Sequence, residues 1–140
     1  MVKILLAEDD KNLGFILKKE LEGDQHTVDL VTNGVDAVLS FMKNPYEFVL
    51  LDLRMPRLGG NDALRIIKQF NPHIPVITFS GNAGSVEMVE SKECGAIKCL
   101  RKPFEVDGLK KEIWKHAGNK IGLQNTGTQP SVIEFLGPKR

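Results

Sequence analysis

The sequence lacks several features that would assign a protein of 140 residues to a class at once. No apolar run approaches the roughly 20 residues that span a membrane, and the segment from Met1 to Ala7 runs into three acids, unlike a signal peptide. The formal net charge is +1, so overall charge predicts no attraction to nucleic acid or to a membrane. We therefore expect a cytoplasmic protein whose domain has no direct nucleic-acid or membrane partner.

Cysteine and histidine are also scarce. The two cysteines, Cys94 and Cys99, have the spacing of neither a redox pair nor a zinc half-site, and a cytosolic chain keeps its thiols reduced. The three histidines, His26, His73 and His116, lie far apart in the sequence. Neither residue type predicts a metal site.

Short apolar runs that indicate buried strands alternate with segments of helical periodicity. The predicted strands end at or near Ala7, Val31, Asp52, Ser80 and Arg101. The helical patterns place apolar residues at Leu13, Ile16, Leu17 and Leu21, at Val35, Val38, Leu39 and Met42, at Leu64, Ile67 and Phe70, at Val86 and Val89, and at Val106, Leu109 and Ile113. The fourth pattern, over about residues 83–93, is the sparsest. Five βα units with right-handed crossovers predict an α/β fold, a doubly wound five-stranded parallel sheet with the flavodoxin-like strand order 2-1-3-4-5.

The character of the sequence changes at about Gly118. Beyond it, glycine and proline interrupt a polar stretch without helical period, in which only Val132–Leu136 is apolar. We therefore predict a folded domain over residues 1–118 and a linker or C-terminal tail over residues 119–140.

Polar residues follow four of the predicted strands. Glu8, Asp9 and Asp10 follow the first strand, Asp52 ends the third, Ser80 ends the fourth, and Lys102 follows the fifth. Because the carboxyl ends of parallel strands lie along one edge of a sheet, where such folds bind ligands, we expect these side chains to lie together. Carboxylates, a hydroxyl and an ammonium group suit a divalent cation and a phosphoryl group.

Simpler explanations exist for single residues of this set. Asp10 fits a helix N-cap as well as it fits a site. Asp52 fits a turn, although turn chemistry does not predict the Met-Pro and the glycine that follow it. Ser80 fits the N-cap of the fourth helix, and Lys102 fits a solvated loop charge. Their coincidence at one sheet edge favours a shared site.

Several motifs together resemble one known family. They are Ile4 to Asp10, Asp52-Leu53-Arg54-Met55-Pro56 with Gly60, Pro75 to Gly81, Gly95-Ala96, and Lys102-Pro103-Phe104. In this order, each at a strand end, they are similar to those of response-regulator receiver domains of two-component signalling. The resemblance covers roughly residues 1–117.

The resemblance implies a phosphorylation site with a metal. Asp52 would be the phosphoacceptor, and Glu8 and Asp9 would be the acidic pair, with Asp9 a direct Mg²⁺ ligand. Asp52 and the Arg54 main-chain carbonyl would complete the protein ligands. Mg²⁺ favours such hard oxygen donors, and it would reduce the repulsion between an aspartate nucleophile and a phosphoryl group.

The resemblance also implies roles for the other two residues and for a partner. Ser80 would engage the phosphoryl group and Lys102 would pair with it, with the Lys102–Pro103 bond cis. The donor would be a sensor histidine kinase or a phosphotransfer protein, and the domain would catalyse its own phosphorylation and dephosphorylation while acting mainly as a switch.

The chain departs from the family pattern on the fifth strand. Cys99 occupies a position where the family usually has an aromatic residue that moves inward on activation. Arg54 and Asn82 occupy positions that modulate the lifetime of the phosphoryl group in the family. Because Cys99 cannot act as that aromatic residue, we expect switching to concentrate in the loop after Ser80 and in the fourth helix.

Three hypotheses remain for the output. The first is a stand-alone receiver that switches partner binding, and the second is the receiver portion of a longer multidomain transcriptional regulator. The third is an aspartyl-nucleophile phosphatase, which is disfavoured. That class has its nucleophile and a second aspartate two residues apart after the first strand, whereas here the acids are adjacent and the candidate nucleophile follows the third strand.

Overall fold

One parallel sheet organises the chain, and the computed structural model of the protein describes residues 1–81 and 85–118 of it. The strand order is β2-β1-β3-β4-β5, as predicted. The strands are β1 (Lys3–Ala7), β2 (Thr27–Val31), β3 (Phe48–Asp52), β4 (Val76–Ser80) and β5 (Lys98–Arg101). The helices are α1 (Lys11–Gly23), α2 (Gly34–Lys43), α3 (Gly60–Phe70), α4 (Ser85–Glu93) and α5 (Val106–Ile113), and a π-helical turn, Trp114–Gly118, follows α5.

The predicted boundaries hold to within a residue or two where they can be compared. β5 begins at Lys98, one residue later than the apolar run. The first residues of the predicted fourth helix, 83 and 84, and the predicted tail over 119–140 lie outside the described residues. The division of the chain at residue 118 therefore stays a prediction. No helix in the described ranges is long and apolar enough to cross a membrane.

The central strands are apolar on both faces because helices cover both sides of the sheet. Ile4 and Leu6 of β1 point into a core formed with α1 and α5. Leu5 and Ala7, the alternate residues, point into a second core formed with α2 and α3. All five residues of β3 and of β4 are buried, so each strand carries its last residue, a polar one, to a covered edge.

Periodicity predicted part of the buried face of α1, α3 and α5, but none of the buried residues of α2 and α4. The buried members are Leu17, Leu21, Leu64, Ile67, Leu109 and Ile113. The exposed members are Ile16, Leu39, Met42, Phe70, Val86 and Val89. On α2 the smaller Ala37 takes the fully buried position, so the helix lies close to the sheet and leaves Leu39 and Met42 at the solvent side.

Helix α4 contacts the sheet through a polar residue. Val86 and Val89, predicted as its apolar face, are 77% and 56% exposed. Ser91 is fully buried instead, and its hydroxyl lies 2.5 Å from the hydroxyl of buried Thr78 on β4. Apolar spacing did not predict this face because serine carries no apolar signal.

Two glycines allow backbone segments to meet at the carboxyl edge of the sheet. A Cβ atom at Gly60, the first residue of α3, would lie 2.2 Å from the carbonyl oxygen of Asp52. A Cβ atom at Gly34, the first residue of α2, would lie 2.0 Å from the carbonyl oxygen of Leu58. Only glycine permits these approaches, which hold the loop after β3 against two helices.

Candidate functional site

The three acidic residues after β1 have different positions: two lie at the candidate site, and the third caps the helix that follows. Glu8 is fully buried, and its Oε2 accepts a hydrogen bond from the Asp10 amide at 3.1 Å. Asp10 caps α1, because its Oδ1 accepts from the amides of Asn12 and Leu13 at 3.0 and 3.1 Å. For Asp10 the capping interpretation is therefore confirmed. Asp9, between them, is exposed and free to face a ligand.

Asp52 lies at the centre of the polar edge, the row of polar residues at the carboxyl ends of the strands. It is the last residue of β3 and is only 3% exposed. Its Oδ1 accepts a hydrogen bond from the Arg54 amide at 3.3 Å, and its Oδ2 lies 3.2 Å from Lys102 Nζ. The buried carboxylate therefore has a cationic partner on one oxygen and a backbone donor on the other.

Lys102 points into the site rather than into solvent. Its Nζ lies 2.8 Å from Glu8 Oε1, and its side chain is 19% exposed. The Lys102–Pro103 peptide bond is cis, as expected, and the Lys102 amide donates to the Ser80 carbonyl at 2.8 Å. Glu8 Oε1 receives no well-directed hydrogen bond from the described residues, so its contact with the ammonium group is mainly a charge interaction.

Three carboxylates lie close together at this edge, and two of them contact the lysine. Oxygens of Glu8, Asp9 and Asp52 all lie within 4.8 Å of one another. Burial raises the pKa of Asp52, and neighbouring Glu8 raises it further, against the opposing effects of Asp9 and Lys102. Partial burial of the otherwise exposed Asp9 side chain and the Asp52 carboxylate together raise the pKa of Asp9. Burial alone would lower the pKa of Lys102, but Glu8 and Asp52 outweigh it and the pKa is raised.

The charges of this cluster do not balance, because it holds three carboxylates and one ammonium group, which pairs with two of them. Repulsion within such a cluster is relieved either by protonation or by a cation. Carboxylate oxygens are the donors that Mg²⁺ prefers, and exposed Asp9 leaves the cluster open to water, which Mg²⁺ retains among its ligands. The donor set therefore fits a magnesium ion.

Ser80 ends β4 beside the lysine. It is 1% exposed and pairs in register with Arg101 on β5, while its carbonyl accepts from the Lys102 amide. Ser80 thus belongs to the strand and lies five positions before Ser85, the first described residue of α4. Residues 82–84 lie outside the described ranges, so the alternative that Ser80 caps that helix stays a prediction.

Arg54 makes a contact that the sequence did not indicate. Its Nη2 donates to Glu87 Oε1 on α4 at 3.1 Å. The two residues are 33 positions apart, so no local spacing could have predicted the pair. The role expected for the Arg54 main-chain carbonyl in metal binding stays a prediction.

Cys99 lies on β5 opposite Thr78 of β4 in the parallel register, and it is half-buried. Aromatic rings occupy the other face of the sheet, where Phe79 stacks on Phe104 with centroids 4.9 Å apart. Neither cysteine forms a disulfide, in agreement with the expected free thiols. The position of the expected aromatic residue is therefore occupied by a small thiol next to the Thr78–Ser91 contact.

Residues 4–114 match the family described as the response regulator receiver domain. The chain belongs to this family. The receiver domain is 32% identical over 109 residues to the response regulator ArlR of Staphylococcus saprophyticus, a match over 78% of this chain and 49% of that protein. It is 36% identical over 137 residues to the transcriptional regulatory protein CpxR homolog of Haemophilus influenzae, covering 98% of this chain and 60% of that protein.

One similar solved structure contains a bound metal ion. It is the receiver domain of a sensor histidine kinase from Pseudomonas aeruginosa with a magnesium ion coordinated in the active site cleft. The two share 28% identity with a TM-score of 0.77, covering 84% of this chain and 98% of that one. Receiver domains are phosphoacceptors of two-component signalling, and they bind Mg²⁺ and interact with histidine kinases. Family membership also removes the aspartyl-nucleophile phosphatase hypothesis.

The receiver domain spans about half the length of the curated relatives that it matches first. Those relatives are regulators with further domains, and several are transcriptional regulators by name. The family match covers residues 4–114, the range that contains every site residue expected from the sequence.

Proposed function

We propose that Asp52 is the phosphoacceptor of this receiver domain. One observation carries the proposal: Asp52 is the buried carboxylate at the centre of the edge, 3.2 Å from Lys102 Nζ and within 4.8 Å of the Glu8 and Asp9 oxygens. It ends a central strand whose residues are all buried, so its position is rigid. A nucleophile held in this way needs little reorganisation before it reacts.

The acidic cluster would hold one Mg²⁺ ion. Asp9 and Asp52 are its proposed side-chain ligands, with Glu8 as the second member of the acidic pair and the Arg54 main-chain carbonyl as a further oxygen donor. When bound, the ion supplies the positive charge that lets an anionic carboxylate approach an anionic phosphoryl group. The pKa of Asp52 and that of Asp9 are both raised, first by burial and then by a neighbouring carboxylate, and a bound cation would relieve both effects.

Transfer would proceed by in-line displacement at phosphorus. An Asp52 carboxylate oxygen forms a bond to phosphorus while the bond from phosphorus to the donor breaks, and the donor leaves with its electron pair. Lys102, whose Nζ lies 3.2 Å from Asp52 Oδ2, would offset the charge on the phosphoryl oxygens. Ser80, at the end of the next strand, would donate its hydroxyl hydrogen to one of them.

The proposed donor is a sensor histidine kinase or a phosphotransfer protein, whose phosphorylated imidazole nitrogen is the leaving group. The proposed output is regulation of transcription as part of a longer protein, with residues 119–140 as the start of a linker. The names and lengths of the relatives support this output. A stand-alone receiver that switches partner binding is the alternative, and the length of the complete open reading frame distinguishes the two.

Intact mass spectrometry tests the phosphoacceptor. Incubation with Mg²⁺ and acetyl phosphate should add one phosphoryl group to the protein. Asp52→Asn should abolish the main adduct, because an amide is not a nucleophile toward phosphorus. Asp107→Asn is the matched control, since Asp107 is an exposed aspartate on α5. Undiminished labelling of Asp52→Asn would contradict the assignment.

Nuclear magnetic resonance titration tests the metal site. Added Mg²⁺ should first shift the amide signals near Asp9, Asp52 and Arg54. In Asp9→Ala these shifts should need much higher Mg²⁺ concentrations, because a ligand has been lost. Equal titration curves for the variant and the wild type would argue for another site.

A further inference from the structure

The guanidinium group of Arg54 is held on α4. Its Nη2 lies 3.1 Å from Glu87 Oε1, although the Arg54 amide donates to the Asp52 carboxylate only two residues earlier in the chain. Among the described residues, Glu87 is the carboxylate with which this guanidinium pairs, and Lys102 is the cation that pairs with Asp52. The Arg54 main chain therefore lies at the site, whereas its guanidinium group lies against α4.

Glu87 is itself fixed in place by a contact other than the ion pair. Its main-chain carbonyl accepts a hydrogen bond from Asn61 Nδ2 on α3 at 3.2 Å. One turn later on α4, Glu90 pairs with Arg65 of α3. These polar contacts join this face of α4 to α3 and place the Glu87 carboxylate within reach of the Arg54 guanidinium.

We propose that Glu87 is a positioning residue for the chemistry at Asp52, acting through Arg54. By holding the guanidinium on α4, Glu87 keeps the phosphoacceptor open to the attacking water, and so sets the lifetime of the phosphorylated state. The inference rests on the proposed function of Asp52. It adds a residue of α4 to the groups that control that function.

The physical reason is competition for one cation. A phosphoryl group on Asp52 brings a charge of about −1.5 to −2 close to the Arg54 backbone, and it competes with Glu87 for the guanidinium. In hydrolysis a water oxygen bonds to phosphorus and the bond from phosphorus to the Asp52 oxygen breaks. The products are the free carboxylate, inorganic phosphate and a proton. A guanidinium that lies over the phosphoryl group obstructs this water, whereas one that stays on Glu87 does not.

Removal of the Glu87 charge should therefore slow hydrolysis. In Glu87→Gln the guanidinium is released and can cover the phosphoryl group, so we expect the phosphorylated state to last about two- to five-fold longer. The factor is modest because the pair is exposed, and exposed ion pairs bias a side chain only weakly.

A double-mutant cycle separates positioning from a merely structural role. Wild type, Glu87→Gln, Arg54→Ala and the double variant are phosphorylated with acetyl phosphate and Mg²⁺, freed of donor, and followed by intact mass. All three variants lose the same ion pair. Positioning predicts a longer lifetime in Glu87→Gln but no such increase when Arg54 is absent, so the double variant should match Arg54→Ala. A structural role predicts the same change in all three.

Two further variants complete the experiment. Glu90→Gln breaks the neighbouring pair with Arg65 but keeps the Arg54–Glu87 pair, so it should change the lifetime much less than Glu87→Gln does. Glu87→Asp keeps the charge and should restore most of the wild-type lifetime, and it also tests the inference if Glu87→Gln unfolds. An unchanged lifetime in Glu87→Gln, or an equal increase in the double variant, overturns the inference. Absence of labelling in the wild type would instead overturn the proposed function.

Discussion

Helices α3 and α4 lie on the same face of the sheet but are attached to it in different ways. α3 buries Gly60, Ala63, Leu64 and Ile67 against the core. α4 exposes Val86 and Val89 and reaches the sheet through the hydroxyl of Ser91. Burial of large aliphatic side chains is worth about 1.5–3 kcal/mol each, whereas a typical hydrogen bond contributes about 0.5–1.5 kcal/mol net.

Because α3 and α4 are attached to the sheet differently, they have different roles at the site. α3 begins at Gly60, which packs on the Asp52 backbone, so its firm attachment holds the phosphoacceptor loop. α4 is joined to that loop mainly through polar contacts, including Arg54 with Glu87. A weakly attached helix can shift when the charge at the site changes, while the strongly attached one keeps the site intact.

The largest expected loss of stability comes from a substitution in α3. Ile67→Ala removes a fully buried side chain and leaves a cavity, so we expect the free energy of unfolding to fall by about 2–5 kcal/mol. Val89→Ala on α4 is the matched control and should change it by less than about 0.5 kcal/mol, because Val89 is mostly exposed. Urea denaturation of both variants measures the two values. Similar losses would remove the contrast between the helices.

A smaller effect is expected at the hydroxyl pair under α4. Ser91→Ala leaves the buried Thr78 hydroxyl without its partner, which should cost about 1–3 kcal/mol. The double variant Thr78→Val with Ser91→Ala removes both polar groups and should recover much of that loss. Denaturation of the single and double variants tests this coupling, and additive losses would mean that the two hydroxyl groups do not depend on each other.

In the absence of Mg²⁺, the charged Asp52 carboxylate should lower the thermal stability of the fold at neutral pH. The pKa of Asp52 is raised in the folded state, chiefly by burial and then by Glu8, so its stabilising contribution is complete below its unfolded pKa. That contribution is lost as the pH rises through the folded pKa. In EDTA at pH 7, Asp52→Asn should therefore raise the Tm by a few degrees, and the gain should disappear toward acidic pH.

Asp52→Asn also distinguishes the effect of bound Mg²⁺ on the Tm from the effect of the Asp52 charge. Mg²⁺ should raise the Tm of the wild type, because it binds the folded acidic cluster, and should raise that of Asp52→Asn much less. Thermal denaturation with and without Mg²⁺ measures both effects, with Asp107→Asn as control. A lower Tm for Asp52→Asn in EDTA would show that the charged group stabilises the fold.

The smallest effect is a change in local protection. We hypothesise that phosphorylation shifts the population between two conformations, with the change concentrated in the loop after Ser80 and in α4, and that this segment with β5 and α5 forms the partner surface. Hydrogen exchange with and without beryllofluoride should therefore differ most between Ser80 and Arg101. A change mainly in α2 (Gly34–Lys43) would place the output surface elsewhere.

Periodicity and strand-end chemistry predicted the fold and the polar edge for a physical reason. In a parallel sheet, the residue that ends each strand reaches the same edge, so Glu8, Asp52, Ser80 and Lys102 could be placed together without knowledge of any distance. The outward position of Val89 and the inward position of Ser91 could not be obtained in this way. A weak pattern does not reveal which side of a helix meets the sheet.

The sequence by itself determined the strand order, the set of polar residues at the edge, and the match to the receiver family, because these depend on local pattern and chain order. Tertiary structure decided between the two interpretations of Asp10, directed Lys102 to Glu8 and Asp52, and paired Arg54 with Glu87. Those outcomes depend on competition between side chains that are distant in sequence. Such competition is resolved only when the fold sets their distances and their exposure to water.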